Sequence, residues 1–280
     1  MNADPNTQGL PSVELLGPDG AQARILLQGA QILSWMPVDA GEQLYLSPAS
    51  VLAAGSPVRG GVPVVFPQFA KLGPLAQHGF ARIRPWHLDQ ANSDASTAVL
   101  SLSDDADTRG LWPHQFTLGL RIHVAGRQLH LELSCLNTGT TPFDFTGALH
   151  TYLAITDIDQ ARVLGLEGLP YIDAIDQQEK KQSEALFATT EQLNRVYRQC
   201  QPDLLLQEQH GEVLRKIAIR QRGFSDVVVW NPGETMCATL PDMAPQGYRS
   251  MLCIEAAQLS QPVHLEPGQG WIGSQSLHLL

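Results

Sequence analysis

Hydrophobic and polar residues alternate most regularly between Gln115 and Leu136. On both sides of a turn at Ala125-Gly126, apolar side chains occupy every second position: Phe116, Leu118, Leu120, Ile122, Val124, Leu129, Leu131, Leu133 and Cys135. Because successive side chains of a strand point to opposite faces, this period of two predicts a β-hairpin with one buried face. The glycine fits a tight connection between the two strands.

Shorter apolar runs of the same kind recur at residues 24–27, 32–36, 98–102, 216–220, 226–230 and 251–254. The 24 glycines and 19 prolines are spread at short intervals, as frequent turns require. We therefore predict an all-β sandwich or barrel, with one short helix near residues 184–196. The chain contains no fixed-period repeat and no proline- or serine-rich linker. We expect one domain over residues 1–280, with a flexible N-terminus at residues 1–10.

Composition narrows the classes of protein to which this chain can belong. Hydrophobic residues make up 43% of its 280 residues, which excludes disorder along the whole chain. The 18 Lys and Arg against 28 Asp and Glu give a net charge of −10, which disfavours nucleic acid or an anionic membrane as a partner. The apolar runs are far shorter than the ~20 residues of a membrane-spanning helix. Four cysteines without a Cys-x-x-Cys spacing, and a polar start without a secretory signal, favour a reduced, cytoplasmic protein.

One stretch carries a charge opposite to that of the rest of the chain. Between Glu42 and Asp89 there is no acidic residue, whereas basic side chains and histidines occur at Arg59, Lys71, His78, Arg82, Arg84 and His87. Arginine's planar fork matches phosphate or carboxylate oxygens, and the glycines of this stretch allow close approach of the backbone to an anion. The pattern favours a site for a small anion such as a sugar phosphate. The alternative is a set of surface arginines without a ligand.

Three polar residues, His150, Asp226 and Glu255, stand in strand-like apolar surroundings. Burying a carboxylate is costly unless it has a partner, so a functional role is one interpretation. The other is structural: a hydrogen-bonded core histidine, a residue that begins a strand and a solvent-facing strand end. The histidines show no H-x-H, H-x-x-x-H or H-E-x-x-H spacing, so we expect no metal site.

Six segments, in order along the chain, resemble the hexose-6-phosphate mutarotase branch of the aldose 1-epimerase family. They are residues 59–69 (RGGVPVVFPQF), 77–82 (QHGFAR), 148–152 (ALHTY), 165–173 (GLEGLPYID), 224–232 (FSDVVVWNP) and 251–256 (MLCIEA). The resemblance covers roughly residues 22–273. It implies the galactose mutarotase-like β-supersandwich, a fold of large antiparallel sheets with its site on the concave surface.

By motif position, the resemblance implies that His150 and Glu255 are the catalytic histidine and glutamate. It further implies that His78 and Asp226 contact the sugar. Two arginines take substrate-binding positions associated, in this branch, with the phosphate: Arg59 and Arg82. Lys71 and Arg84 do not fall on secure motif positions, and the sequence does not decide whether either contacts the phosphate.

The implied reaction is interconversion of the α and β anomers of a hexose 6-phosphate such as D-glucose 6-phosphate. Ring opening requires a proton to leave the C1 hydroxyl while the ring oxygen O5 gains one. We expect Glu255 to act as the base toward O1 and His150 as the acid toward O5, with the roles reversed on closure. His150 must then be cationic, which a nearby carboxylate such as Asp226 would favour. This isomerase needs no cofactor.

Alternative functions are also open. A mutarotase for free aldoses such as galactose shares the acid–base pair but needs no basic stretch. A non-catalytic carbohydrate-binding sandwich reads sugars with exposed aromatic side chains, and only 6% of this chain is aromatic. A glycoside hydrolase is disfavoured because it uses paired carboxylates. We expect a monomer whose partner is a small-molecule sugar phosphate.

Overall fold

A computed structural model of the chain describes residues 9–280, so residues 1–8 of the predicted flexible N-terminus lie outside the described residues. The strands in chain order are β1 (Ser12–Leu16), β2 (Gln22–Leu26), β3 (Gln31–Met36), β4 (Val64–Val65), β5 (His87–Leu88), β6 (Thr97–Ser103), β7 (Phe116–Ala125), β8 (Gln128–Asn137), β9 (Phe143–Leu149), β10 (Tyr152–Ala154), β11 (Ala161–Leu164), β12 (Pro170–Asp173), β13 (Gln178–Lys181), β14 (Leu186–Phe187), β15 (Leu193–Tyr197), β16 (Leu204–His210), β17 (Val213–Arg222), β18 (Asp226–Asn231), β19 (Met251–Leu265) and β20 (Gly270–Leu279). The α-helices are α1 (Ala106–Leu111) and α2 (Gly233–Cys237), and short 3-10 turns lie at Ala81–Ile83, Ile158–Gln160 and Gly247–Ser250.

The strands form three sheets in which neighbouring strands run antiparallel, as predicted. The first sheet has the order β1-β2-β3. The second has the order β13-β12-β15-β18-β19-β9-β4, and β10 also pairs with β19. The third has the order β14-β11-β16-β17-β20-β8-β7-β6-β5. Within residues 9–280, no helix is long and apolar enough to cross a membrane.

The predicted hairpin is confirmed as β7 and β8, paired from Phe116 opposite Asn137 to Ala125 opposite Gln128. Its two-residue connection begins at Gly126, whose φ of 58° is a conformation that glycine adopts without steric cost. The six shorter runs also lie in strands: β2, β3, β6, β17, β18 and β19.

The helix expected near residues 184–196 is wrong, because this segment forms β14 and β15. β15 lies between β12 and β18, and its Leu193 and Val196 pair with Asn231 and Val228. Both Leu193 and Val196 are buried. Pairing inside a sheet and burial of these side chains outweigh the weak local preference for a helix.

All three sheets contribute to one hydrophobic cluster. Trp35 of β3, Leu120 of β7 and Phe145 of β9 belong to it, and each is almost completely buried. Phe66, just after β4, packs edge-on against Phe80 at a centroid distance of 6.1 Å. This core supports the second sheet, whose central strands β9, β18 and β19 carry the candidate site. The assignment of residues 1–280 to one domain stays a prediction.

Candidate active site

The register of the second sheet places His150 opposite Glu255. β9 pairs with β19 so that Leu149 lies opposite Ala256, and β10 pairs with the same strand so that Tyr152 lies opposite Cys253. The register is continuous across the two residues between β9 and β10, so His150 faces Glu255. Its Nε2 lies 3.5 Å from Glu255 Oε1.

Both members of this pair are buried, with exposed fractions of 7% for His150 and 1% for Glu255. His150 Nδ1 and Glu255 Oε2 have no hydrogen-bond partner among the described residues. Buried polar atoms of native proteins are nearly always paired, and exceptions concentrate where a ligand or a reaction supplies the partner. The orphaned atoms therefore make this pair a candidate centre for acid–base chemistry.

Burial also shifts the proton affinities of the pair in opposite directions. It raises the pKa of Glu255 well above its ordinary value. Burial, followed by the neighbouring His78, Arg82 and Arg59, lowers the pKa of His150 well below its ordinary value. Both shifts favour the uncharged forms of the pair, a neutral imidazole beside a carboxylic acid that share one ionisable proton. The expectation that Asp226 keeps His150 cationic is not met.

His78 approaches the pair from the loop before the 3-10 turn at Ala81–Ile83. Its ring centroid lies 5.4 Å from that of His150. Its backbone has a φ of 67°, its N–H donates to the Ala70 carbonyl at 2.9 Å, and its Nδ1 accepts from the Ala70 N–H at 3.2 Å. Burial, together with Arg82 and Arg59, lowers the pKa of His78 to about 3, so the ring is neutral. Because Nδ1 accepts a backbone N–H, the ring proton lies on Nε2, which is 3.4 Å from the side-chain amide of Gln77.

Arg59 is held in place on two sides. Its Nε and Nη2 donate to the two carboxylate oxygens of Asp242 at 3.2 and 3.1 Å, and its Nη1 donates to Tyr152 Oη at 3.1 Å. The Tyr152 ring in turn stacks on the His150 ring, with centroids 4.8 Å apart and planes 11° apart. Sequence reasoning did not identify Asp242 or Tyr152 as site residues. Tyr152 stands in the 148–152 motif, whereas Asp242 lies in a loop without a local signal.

Arg82 is less constrained than Arg59. Its Nη2 donates to the Gln77 carbonyl at 2.8 Å, and its buried Nε has no hydrogen-bond partner among the described residues. Arg82 bonds the carbonyl of Gln77, the residue before His78, and Tyr152 links Arg59 to the His150 ring, so both guanidinium groups border the same cluster. The structure therefore brings together five of the six residues singled out from the sequence.

Asp226 is the sixth, and its carboxylate is used within the protein. Its oxygens accept from the backbone N–H groups of Gln199, Leu259 and Ser260 at 2.8–2.9 Å, and from the Ser260 hydroxyl at 2.5 Å. These four bonds fill the acceptor sites of a carboxylate, and the residue is 0% exposed. Asp226 thereby fixes the segment after β15 and the irregular stretch of β19 between Gln258 and Val263.

Two other basic residues of the predicted anion site have different surroundings. Arg84 pairs with Asp107 of α1 at 3.3 Å, and Lys71 is exposed on a loop. Trp230 of β18 instead borders the centre, with its ring 6.0 Å from His150. Across residues 9–280, no group of three or more His, Cys, Asp or Glu side chains is arranged to hold a metal ion.

Known proteins with similar sequences identify the family of this chain. The family model described as aldose 1-epimerase matches residues 11–278. A protein of Cenchrus ciliaris is 33% identical over 281 residues, covering 96% of this chain and 84% of that protein. One from Escherichia coli K12 is 34% identical over 262 residues, covering 90% and 85%. Both relatives are provisionally named glucose-6-phosphate 1-epimerase.

Solved structures give the same result for the fold. A crystal structure from Salmonella typhimurium, provisionally described as a mutarotase, has a TM-score of 0.86 and 31% identity, and the match covers 96% of this chain and 90% of that one. A galactose mutarotase related enzyme of Lactobacillus acidophilus has a TM-score of 0.76 at 15% identity, covering 96% and 97% of the two chains, and shows the fold alone. The predicted galactose mutarotase-like fold is confirmed. The chain belongs to the aldose 1-epimerase family and is an isomerase that interconverts the α and β anomers of an aldose.

Proposed function

We propose that the aldose is a hexose 6-phosphate, with D-glucose 6-phosphate as the first candidate. The observation that carries this proposal is the pair of guanidinium groups beside the acid–base pair. Asp242 balances the charge of Arg59, and Arg82 has its Nε unpaired. Among the described residues no acidic side chain forms an ion pair with Arg82, so its positive charge is available to an anion such as a phosphate.

Two alternatives, a free aldose as the substrate and a non-catalytic carbohydrate-binding protein, fit these features less well. A free aldose carries no anionic group, so it gives the half-buried guanidinium group of Arg82 no charged partner. A non-catalytic carbohydrate-binding protein has no use for the orphaned atoms of His150 and Glu255. The provisional names of the two relatives point to the same substrate as the charge does.

In the proposed mechanism, the substrate's phosphate prepares the proton-transfer pair. A bound dianion reverses the sign of the local charge, which favours moving the shared proton from Glu255 to His150. The carboxylate of Glu255 then takes the proton of the C1 hydroxyl, and the imidazolium of His150 gives one to O5 as the C1–O5 bond breaks. After rotation about C1–C2, the same steps run in reverse on the other face. Positioned proton transfer of this kind contributes about 10²–10⁴-fold.

The other residues of the site bind rather than transfer protons. His78 donates its Nε2 hydrogen to a sugar hydroxyl, and its low pKa keeps it neutral throughout the reaction. Arg59 and Arg82 hold the phosphate and so limit the motion of the opened chain. We do not retain Asp226 as a sugar ligand, because its oxygens are already saturated by Gln199, Leu259 and Ser260.

The test is the rate of anomer exchange measured by proton NMR magnetisation transfer, with the uncatalysed rate subtracted. We expect kcat/KM for glucose 6-phosphate to exceed that for glucose by at least about tenfold, the typical effect of one charge-assisted hydrogen bond. Equal values, or a preference for glucose, would show a free-aldose mutarotase. Tight binding of the phosphate without any acceleration would indicate a binding protein.

We also propose that the protein works as a cytoplasmic monomer on this soluble substrate. Its four cysteines are free thiols, and three of them are buried. Sedimentation of the purified protein under reducing conditions tests the oligomeric state, and a species of twice the mass would contradict it.

A further inference from the structure

Tyr152 contacts both Arg59, one of the two arginines proposed to bind the phosphate, and His150 of the acid–base pair. Its hydroxyl accepts a hydrogen bond from Arg59 at 3.1 Å, and its ring stacks on His150 at 4.8 Å. The residue is 3% exposed and pairs with Cys253 on β19, two positions before Glu255. Among residues 9–280, no other side chain both hydrogen-bonds Arg59 and packs its ring against His150.

We propose that Tyr152 is a positioning residue that couples a dianion at Arg59 and Arg82 to proton transfer by His150 and Glu255. On this proposal, the phosphate raises the rate of ring opening in addition to holding the sugar. The inference rests on the proposed function, because it concerns the same phosphate site.

The hydrogen-bonding capacity of Arg59 explains why the coupling passes through Tyr152. Of the five guanidinium N–H groups, two donate to Asp242 and one to Tyr152, which leaves two for a ligand. A dianion that binds these two groups pulls on a guanidinium already bonded to the phenol. Any shift of Arg59 therefore moves the ring on which His150 is stacked.

A movement of the Tyr152 ring would change the distance between the two proton-transfer groups. His150 Nε2 and Glu255 Oε1 are 3.5 Å apart, longer than the 2.7–3.2 Å of an N–H···O hydrogen bond. A displacement of a few tenths of an ångström decides whether the shared proton can pass between them. The backbone register fixes which residues face each other, and the stacked Tyr152 ring limits the rotation of the imidazole that adjusts the distance between Nε2 and Oε1.

Tyr45→Phe provides a matched control, because it removes a tyrosine hydroxyl from the same part of the structure as Tyr152→Phe. It belongs to the same small apolar cluster as Tyr152 and is 7% exposed. Its hydroxyl lies 3.2 Å from Met243 Sδ, and it makes no recorded hydrogen bond to Arg59. Tyr45→Phe therefore removes a buried hydroxyl of this cluster without cutting the proposed link.

The first experiment measures kcat and KM of wild type, Tyr152→Phe and Tyr45→Phe with glucose 6-phosphate and with glucose. We expect Tyr152→Phe to lower kcat for glucose 6-phosphate about tenfold, because it removes a hydrogen bond to a charged group. Its kcat/KM for glucose should stay within about twofold, because the ring and its stacking remain. Equal losses on both substrates would mean a purely structural role and overturn the coupling, while a wild-type preference for the phosphate would still support the proposed function.

The second experiment uses sulfate, a dianion too weakly basic to catalyse anomerisation itself. Competitive inhibition of glucose 6-phosphate turnover gives its Ki, and glucose anomerisation is then measured at sulfate concentrations around that Ki, with ionic strength fixed by chloride. We expect a saturable increase in the rate with glucose for wild type and Tyr45→Phe, and its loss in Tyr152→Phe. A wild-type rate unchanged at saturating sulfate would overturn the proposal, and so would undiminished activation in Tyr152→Phe.

Discussion

His150 and Glu255 face each other across adjacent strands of one sheet, with 3.5 Å between Nε2 and Oε1. The pairing of β19 with both β9 and β10 fixes this relationship, so it is set by backbone register and not by a mobile loop. The backbone therefore needs no rearrangement for the reaction, and only the side chains of the pair have to adjust. The substrate-binding groups, by contrast, come from loops around the sheet.

Arg82 is expected to determine selectivity for the phosphate. Arg82→Gln should raise KM for glucose 6-phosphate about 10–100-fold, since a charge-assisted hydrogen bond is lost. Its KM for glucose, which has no phosphate for Arg82 to bind, should not show this rise. Arg84→Gln is the control, because Arg84 pairs with Asp107 and not with the site. Steady-state kinetics on both sugars measure the effect, and an Arg84 variant as impaired as the Arg82 variant would contradict the assignment.

The pH dependence should reflect the opposite shifts of the two proton-transfer groups. Because the pKa of His150 is lowered and that of Glu255 is raised, the pair keeps its one proton throughout the range between the two values. We expect kcat with glucose, which has no titrating phosphate, to be flat through neutral pH. Activity should fall only when His150 gains a second proton in acid or Glu255 loses its proton in alkali. Arg82→Gln should move the acid limb to higher pH, because a repelling charge is removed. A wild-type acid limb centred near 6.5 would contradict this account.

Glu255 should reduce the stability of the fold at neutral and alkaline pH. Its folded pKa lies above the 4.5 of the unfolded chain, so the folded state holds a proton that unfolding releases, and stability falls as pH rises from 4.5 to the folded pKa. Glu255→Gln avoids this loss. We expect its Tm to exceed that of wild type, with a gap that widens as pH rises from about 4.5 towards the folded pKa. Thermal unfolding followed by circular dichroism tests this, and a gap that narrows over that range would count against it.

Gly61 is expected to be required for folding around Tyr152. Its carbonyl accepts the Tyr152 N–H at 2.9 Å, its φ is 63°, and a Cβ at this position would lie 1.9 Å from the Ile32 carbonyl oxygen. We expect Gly61→Ala to cost more than about 3 kcal/mol in urea unfolding, because backbone must move in addition to the strain of positive φ.

Gly55→Ala separates the two contributions. Gly55 has a φ of 75°, and a Cβ there would meet nothing within 4 Å. This variant should therefore show the cost of the backbone conformation alone, about 1 kcal/mol. Similar losses at Gly61 and Gly55 would mean that the contact with Ile32 has no energetic consequence.

The strands could largely be predicted because their signal is local. The alternation of apolar and polar residues within Phe116–Ala125 and Gln128–Asn137 indicates which face of the hairpin is buried, and the intervening glycine indicates the turn. The segment containing β15 could not be assigned in this way. Its strand conformation depends on β12 and β18, which lie elsewhere in the sequence.

The site shows the same division between local and distant information. His150 and Glu255 stand out as polar residues in apolar runs, and the family motifs mark His78, Arg59 and Arg82. Their bonding partners carry no such signal. Asp242 becomes relevant only because its loop folds back onto Arg59. The hydrogen bonds that fill the acceptor sites of the Asp226 carboxylate likewise depend on an irregularity in β19, which no pattern in the sequence predicts.

We propose that His150 and Glu255 transfer protons to and from a hexose 6-phosphate. The most direct measurement is the anomer exchange rate of glucose 6-phosphate by magnetisation transfer, for wild type, His150→Asn and Glu255→Gln at equal folded concentration. We predict that each substitution lowers kcat by about 10²–10⁴-fold, with the double variant little worse than either single one, because the two groups act as a unit. A rate near that of wild type in either single variant would contradict the account.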